Sequence, residues 1–147
     1  MARRLRSRPG CVVTRVLAVA HQTAEAAEFL EAVESAATAG RAEVVVLVPA
    51  TPVKHLASWT QGESRAIAQE RAETARQMLE NAGVDVAEVR VGDPDPYEAI
   101  IDVLAVEDFD LIIVSTFPPG VSRWLGANLI SRLGRTIDVP VTHVVAH

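Results

Sequence analysis

The chain contains little cysteine and no long apolar run, and these two shortages restrict the class of protein to which it can belong. Cys11 is the only cysteine among 147 residues, which excludes an internal disulfide framework and suits a reducing cytoplasm. No apolar run reaches the roughly 18 residues that a membrane span needs. The basic start resembles the n-region of a signal peptide, but the apolar run behind it is interrupted by Arg15 and stops at His21 without a cleavage site. We therefore predict a cytoplasmic protein with no membrane partner.

The sequence signatures of common catalytic and phosphate-binding sites are also missing. There is no Walker-type Gly-x-x-x-x-Gly-Lys, no Gly-x-Gly-x-x-Gly after the first predicted strand, and no Gly-x-Ser-x-Gly elbow around Ser115. A triad of Ser115, His21 and Asp93 can be drawn, but no elbow supports it. His143 and His147 are four residues apart on a predicted strand, which is not the spacing of a metal site. We predict a protein that has no catalytic residue and no metal, and is not an enzyme.

Charge is distributed unevenly along the chain. The formal net charge is −5, yet residues 1–10 carry four arginines and no acid, so ten basic and nineteen acidic side chains, a net −9, remain for the rest. Such an acidic body repels phosphate backbones, and nucleic acid is not expected as a partner. We predict that residues 1–10 form a disordered basic tail and that residues 11–147 form one domain.

Apolar segments typical of strands alternate with amphipathic segments typical of helices. This alternation predicts an α/β fold: an open, five-stranded parallel sheet with helices on both faces. The fourth strand is wholly apolar, which predicts a central position, whereas the third alternates apolar with charged residues, which predicts an edge. The predicted strands are Val12–Ala20, Glu43–Val48, Val84–Val91, Leu111–Val114 and Val141–Ala146. The predicted helices are Thr23–Ala39, Glu63–Ala82, one that begins after Asp95, and one that begins near Gly126 or Asn128.

Cap signals mark three helix ends. Asp95 is followed by Pro96 and, three residues after the cap, by Glu98, a combination typical of a capped helix start. Gly83 suits the position that follows the last turn of the second helix. Thr23 is the predicted N-cap of the first helix, since a threonine hydroxyl can accept from the first unpaired N–H groups.

The segment after the fourth strand is the best candidate for a ligand site, because ligands of open parallel sheets bind where strands end and helices begin. Free N–H groups at a helix N-terminus favour an anion, to which Arg123 can add a charge-assisted hydrogen bond. Pro118 and Pro119 offer no N–H group to such an anion. A rigid structural loop is the alternative interpretation.

The whole pattern resembles the universal stress protein family over residues 12–147. The resemblance is carried by the order of the elements, the apolar run Asp110–Val114, the loop Gly120-Val-Ser-Arg123 with Gly126, and the ending Val139–Val145. It implies a Rossmann-like sheet of the adenine nucleotide alpha hydrolase type, with strand order 3-2-1-4-5. It also implies a cytoplasmic stress-response homodimer paired through the last strand, Val141–Ala146. Such pairing has a physical motive, because an exposed hydrophobic edge strand aggregates unless something covers it.

Members of this family that bind ATP carry Gly-x2-Gly-x9-Gly-Ser/Thr after the fourth strand. Here Ser115 corresponds to the first glycine and Pro118 to the second. Gly126 matches the third after a loop two residues shorter than the motif, and Ala127 replaces the hydroxyl residue. ATP-binding members also place an Asp after the first strand, at the adenine end, where this chain has His21. The resemblance thus implies that ATP is not bound in the usual mode.

Three functions from different classes remain open. The first is a non-enzymatic stress-response dimer that acts on an unidentified protein partner without the usual ATP binding. The second is a nucleotide-binding switch, with ATP as its ligand and a remodelled phosphate loop. The third is an unrelated small hydrolase or transferase that uses Ser115 or His21. Under the second hypothesis, Ala20, His21, Pro49 and Val91 line the base and ribose side, and the phosphate side is formed by Ser115, Gly120, Ser122, Arg123, Gly126 and Asn128.

Overall fold

The computed structural model describes residues 14–21, 23–38, 42–50, 61–116 and 129–146. Within these ranges, strands and helices alternate as β1 (Thr14–Val19), α1 (Ala27–Thr38), β2 (Ala42–Pro49), α2 (Gln61–Asn81), β3 (Val86–Gly92), α3 (Pro96–Leu104), β4 (Leu111–Thr116), α4 (Leu129–Thr136) and β5 (Val141–Val145). None of the helices in this part of the chain is long and apolar enough to cross a membrane. The predicted basic tail, residues 1–10, lies outside the described residues.

The five strands form one parallel sheet in the order β3-β2-β1-β4-β5. This confirms the predicted fold class and strand order, including β3 and β5 at the two edges and β4 inside the sheet. Because β1 pairs with both β2 and β4, the chain first builds the sheet to one side of β1 and then to the other. The carboxyl ends of β1 and β4 therefore flank the point where ligands usually bind to such sheets.

Both faces of the sheet are buried, which explains the nearly continuous apolar strands. One layer packs α1 and α2 on strand residues such as Val16, Val46 and Ile113. The opposite layer packs α3 and α4 on residues such as Leu17 and Val114. A fully buried aliphatic or aromatic side chain contributes roughly 1.5–3 kcal/mol relative to exposure, so these two layers dominate the stability of the domain.

The end of α2 follows the predicted cap and also explains where β3 begins. Gly83 has φ +91°, its N–H donates to the Glu80 carbonyl at 3.0 Å, and the Val84 N–H donates to the Leu79 carbonyl at 2.9 Å. These are the two bonds of a Schellman motif, with Val84 and Leu79 both buried in the same core layer. Since Val84 closes the helix, β3 begins at Val86 rather than at the predicted Val84.

The start of α3 is capped by Asp95 as predicted, but the second contact of the cap comes from a residue that was not predicted. The Asp95 carboxylate accepts from the Tyr97 N–H at 2.9 Å, and Pro96 occupies the first turn. The Asp95 N–H donates to Asp93 at 2.9 Å, so Asp93 takes the part that a capping box assigns to Glu98. Behind this turn, a Cβ on Gly92 would lie 2.9 Å from the Ala99 Cβ, so α3 approaches the end of β3 as closely as a glycine permits.

A network around Arg15 ties the amino ends of the strands together. The Arg15 guanidinium lies 4.6 Å from the centre of the Phe109 ring and donates to Glu107 and to Glu43, at 3.0 and 3.1 Å. Arg90 forms a second ion pair with Glu107. Two unpaired arginines would be costly beside this core, and Glu107 compensates both of them. The sequence indicated Arg15 only as a break in an apolar run.

Candidate functional site

The candidate site lies at the carboxyl edge of the sheet, beyond the ends of β1, β2, β3 and β4. Backbone hydrogen bonds continue across this edge after the strands end. The Ala20 N–H donates to the Leu47 carbonyl at 3.2 Å, and the Ala50 N–H donates to the Gly92 carbonyl at 3.0 Å. The segments after β1, β2 and β3 are therefore held side by side, as the parallel arrangement requires.

The described part of the predicted site is assembled at this edge. Ala20, His21, Pro49 and Ser115 are all buried, and Val91 is half-buried against the α1–α2 layer. The predicted phosphate-side residues Gly120, Ser122, Arg123, Gly126 and Asn128 lie outside the described residues. The structure thus places Ala20, His21, Pro49, Val91 and Ser115 at one edge of the sheet, and their roles toward a ligand stay a prediction.

The ends of β1 and β4 are joined by a hydroxyl bridge. The Ser115 Oγ donates to the Thr23 Oγ1 at 2.7 Å, and these residues are only 1% and 3% exposed. Thr23 was predicted to cap α1, but α1 begins at Ala27, and residues 23–25 form a turn in which the Ala26 N–H donates to the Thr23 carbonyl at 3.0 Å. The cap prediction was wrong because tertiary structure supplies the Thr23 hydroxyl with a partner 92 positions away.

His21 is a buried and neutral side chain at the same place. It is 5% exposed, and burial, assisted by the positive charge of Arg71 on α2, lowers the pKa of its imidazole to about 4. The Nε2 atom has no hydrogen-bond partner among the described residues. Because buried polar atoms are nearly always hydrogen-bonded, the partner of this nitrogen is expected outside the described residues or in a bound molecule. Sequence reasoning missed Arg71, which is one polar position among many on a surface helix.

The triad considered as an alternative is not assembled. The Ser115 hydroxyl is directed to Thr23 rather than to His21, and Asp93 accepts the backbone N–H of Asp95. His21 is also too hard to protonate to carry a proton near neutral pH. No group of three or more metal-ligating side chains occurs within the described residues.

A second polar contact joins β4 to β5. The Thr116 Oγ1 lies 2.8 Å from the Nε2 of His143, and burial lowers the pKa of that imidazole. Thr116 is 2% exposed, whereas His143 is exposed on the open side of β5. The sequence placed His143 on a strand surface but gave no sign of its contact with Thr116, since the pairing depends on the register of β4 and β5.

A surface cavity within the described residues lies at the carboxyl ends of β2 and β3, where Leu47, Val91 and Gly92 line it. It has a volume of about 410 Å³ and is lined by Arg65, Arg90, Asp93, Asp102 and neighbouring residues of α3. Arg90 is already paired with Glu88 and Glu107. The groove therefore presents opposite charges that largely compensate each other and does not select one ligand class.

The family and structural relatives agree with this architecture. The sequence model described as "Universal stress protein family" matches residues 13–144. None of the curated proteins matches the chain.

Three solved structures are similar in fold. A universal stress protein from Archaeoglobus fulgidus superposes with a TM-score of 0.62 at 14% identity, covering 92% of this chain and 96% of that one. The Archaeoglobus fulgidus universal stress protein in complex with dAMP gives 0.62 at 18% identity, with coverages of 90% and 97%. A universal stress protein in complex with cAMP gives 0.59 at 20% identity, with coverages of 90% and 96%.

Proposed function

The chain belongs to the universal stress protein family, and from this premise we propose that it acts in a stress response as a cytoplasmic homodimer that catalyses no reaction. We further propose that it does not hold ATP in the mode of the motif-carrying members. It acts instead through its surface, on a protein partner. The hydrogen bond of the Ser115 hydroxyl to Thr23 supports the non-enzymatic part of this proposal, and the single cysteine supports the cytoplasmic part.

The observation that carries the proposal is the hydroxyl bridge between Ser115 and Thr23. A phosphate-binding loop needs donors that face the ligand, and a glycine lets the backbone approach the phosphate. At Ser115 the hydroxyl proton is instead directed to Thr23, and the side chain is 1% exposed. The gap between the ends of β1 and β4 is thus spanned by protein atoms at the position of the first motif glycine.

The state of His21 also differs from what an adenine-binding member presents. An Asp at this position is an anionic acceptor, whereas burial and Arg71 keep the imidazole neutral. A neutral ring nitrogen forms a weaker hydrogen bond than a carboxylate does.

The dimer part of the proposal rests on the two edges of the sheet. β3 carries Glu88 and Arg90, which pair with each other and discourage the addition of another strand. β5 has the sequence Val-Thr-His-Val-Val, without a formally charged residue at neutral pH and with three half-buried valines. Self-pairing of β5 buries that edge in both copies at once.

Light scattering tests the dimer. Lysine at Val141 or Val144 should give a monomer or an aggregate, because it places a charge in the paired edge. The matched control is Val106→Lys, since Val106 is 75% exposed at the end of α3, and this variant should remain a dimer. Dimers of unchanged mass in all three variants would place the interface elsewhere.

The ATP part is tested on freshly purified protein. The protein is denatured, the released small molecules are identified by mass spectrometry, and ATP is titrated into a second sample by calorimetry. We expect neither a copurifying nucleotide nor a measurable heat of binding. Copurified nucleotide or a micromolar dissociation constant would contradict the proposal.

The second candidate function is a nucleotide-binding switch, and it is favoured by the buried Nε2 of His21, which has no hydrogen-bond partner among the residues that the structure describes. The solved relatives in complex with dAMP and cAMP carry nucleotides on the same fold. Under this function AMP or ATP binds with micromolar affinity, and His21→Phe, which keeps a ring but no nitrogen, weakens binding. Arg123→Ala should weaken it by about 1–3 kcal/mol, the value of a charged hydrogen bond. Unchanged affinity in either variant would remove that residue from the site.

A further inference from the structure

The open edge of β5 presents its backbone groups in an order that fixes how a second copy can pair with it. On the β4 side, the Ile112 N–H donates to the Pro140 carbonyl at 2.9 Å, and the Ala146 N–H donates to the Thr116 carbonyl at 2.8 Å. In a parallel ladder every second residue points its N–H and C=O to the same neighbour. Even-numbered residues of β5 therefore pair with β4, and Val141, His143 and Val145 direct their backbone groups outward.

These three outward residues are spaced symmetrically about the centre of a five-residue strand. Two copies related by a twofold axis through His143 would pair Val141 with Val145 of the second copy, and His143 with itself. Each such pair exchanges two N–H···O bonds, so three pairs give six. A twofold axis at Thr142 or at Val144 leaves only two pairs, and therefore four bonds. The register centred on His143 therefore forms the largest number of backbone hydrogen bonds along the open edge of β5.

We propose that the twofold axis of the homodimer passes beside His143, so that two His143 imidazoles stand side by side across the interface and their protonation dissociates the dimer. This inference rests on the proposed pairing through β5. Beyond that pairing, it specifies the register of the two β5 strands, and it identifies His143 as a residue that both copies contribute to the same contact.

The side chains agree with this register. His143 shares a face with Val141 and Val145, the face on which Val141 packs against the α3–α4 layer. Residues that exchange both backbone bonds have Cα atoms about 5.5 Å apart, so the two rings are direct neighbours across the interface. Within each copy, the Thr116 hydroxyl holds Nε2 at 2.8 Å, so the ring has a fixed anchor on β4.

Among the described residues, no ion pair joins a carboxylate to His143. On β4, its contact is the neutral Thr116 hydroxyl. The helix on its own face, α4, carries no acidic residue, and its charged side chains are Arg132 and Arg135. The nearest carboxylate in sequence on this side is Asp138, and among the described residues no ion pair joins it to His143. Helix α1 lies on the opposite face of the sheet, where Val144 packs, and it carries Glu28, Glu31 and Glu34.

The direction of the pH effect follows. Burial alone already lowers the pKa of His143 in one chain, and pairing adds burial and a like charge. The neutral form is therefore favoured in the dimer, and dissociation takes up one proton per copy. The dissociation constant should be flat above the pKa that His143 has in the single chain, which burial lowers from its ordinary value, and should rise by up to about 100-fold per pH unit below that pKa.

Sedimentation of the full chain between pH 8 and pH 5 tests the inference. The wild type should dissociate as the pH falls. His143→Gln, which keeps a polar group and cannot become charged, should be a dimer throughout. His147→Gln is the matched control for the next histidine in sequence and should behave as the wild type. If His143→Gln retains the pH dependence, the inference is wrong while the dimer stands. If the wild type is a monomer at pH 8, both proposals fail.

Cysteine crosslinking tests the register separately. In a Cys11→Ser background, His143→Cys should form an intermolecular disulfide on mild oxidation, because its two Cα atoms fall within the 4.4–6.8 Å that a disulfide spans. Thr142→Cys and Val144→Cys should not link to themselves, because in this register they face each other rather than their own copies. Crosslinking of Thr142→Cys in preference to His143→Cys would move the axis and overturn the inference.

Discussion

Replacing Thr23 with valine tests whether the bridge between β1 and β4 holds the carboxyl edge together. Valine has nearly the shape of threonine but lacks the hydroxyl, so the change removes the acceptor of the Ser115 hydroxyl without opening a cavity. Because Ser115 is 1% exposed, its hydroxyl would be left buried and unsatisfied. Such a group costs about 1–3 kcal/mol of the free energy of unfolding. For a domain of this size, that corresponds to a fall in Tm of roughly 3–9 °C.

The double variant Thr23→Val with Ser115→Ala makes the test specific. Removing both hydroxyls leaves no unsatisfied group, so the double variant should be more stable than the sum of the single effects predicts, by about 1 kcal/mol. The assay is urea unfolding followed by far-UV circular dichroism, at one fixed protein concentration because a dimer makes stability depend on concentration. Strict additivity of the two single effects would refute the idea that these hydroxyls act as a pair.

Three further perturbations probe other parts of the fold. Because the folded pKa of His21, about 4, lies below its ordinary value of 6.5, the neutral form is favoured in the folded state. Stability should thus be complete above pH 6.5 and fall by up to about 3 kcal/mol as the pH drops toward 4 in urea titrations, a slope that His21→Gln should reduce. Gly92→Ala forces a Cβ to within 2.9 Å of Ala99 and should cost about 1–3 kcal/mol in thermal unfolding, and a neutral effect would mean that α3 can shift. Glu107→Gln removes the carboxylate shared by Arg15 and Arg90 and should destabilise the protein by about 1 kcal/mol, less at high salt, and a loss that does not respond to salt would contradict an ionic origin.

The two candidate functions assign different roles to the Nε2 atom of His21. In a surface-acting dimer, the Nε2 atom, which has no partner within the described part of the chain, is a local cost that water at the sheet edge can offset. In a nucleotide switch, the same atom is the polar contact that orients the base. Calorimetry with AMP and ATP separates the two, and the stability slope of His21 does not, because both functions keep the imidazole buried and neutral.

The sequence by itself determined the alternation of strands and helices, the inner position of β4 and the edge position of β3, whereas the full strand order was implied by the resemblance to the universal stress protein family. Apolar strands that alternate with amphipathic helices leave few arrangements, because crossovers between parallel strands are right-handed and both faces must be covered. The local signals Gly83 and Asp95 were also sufficient to predict the end of α2 and the start of α3, since the backbone groups involved lie within a few residues of them. The described predicted site residues meet at one edge for the same reason, as parallel strands end together.

Only the tertiary structure decided which side chains are partners. The Thr23 hydroxyl pairs with Ser115 instead of capping α1. Arg71, which lies on α2, contributes to the lowered pKa of His21. Arg15 joined a network with Glu107 across 92 positions of sequence. Such contacts depend on strand register and on the closeness of packed layers, which the periodicity of a sequence does not encode. Periodicity decides which face a residue occupies, whereas the fold decides what stands opposite it.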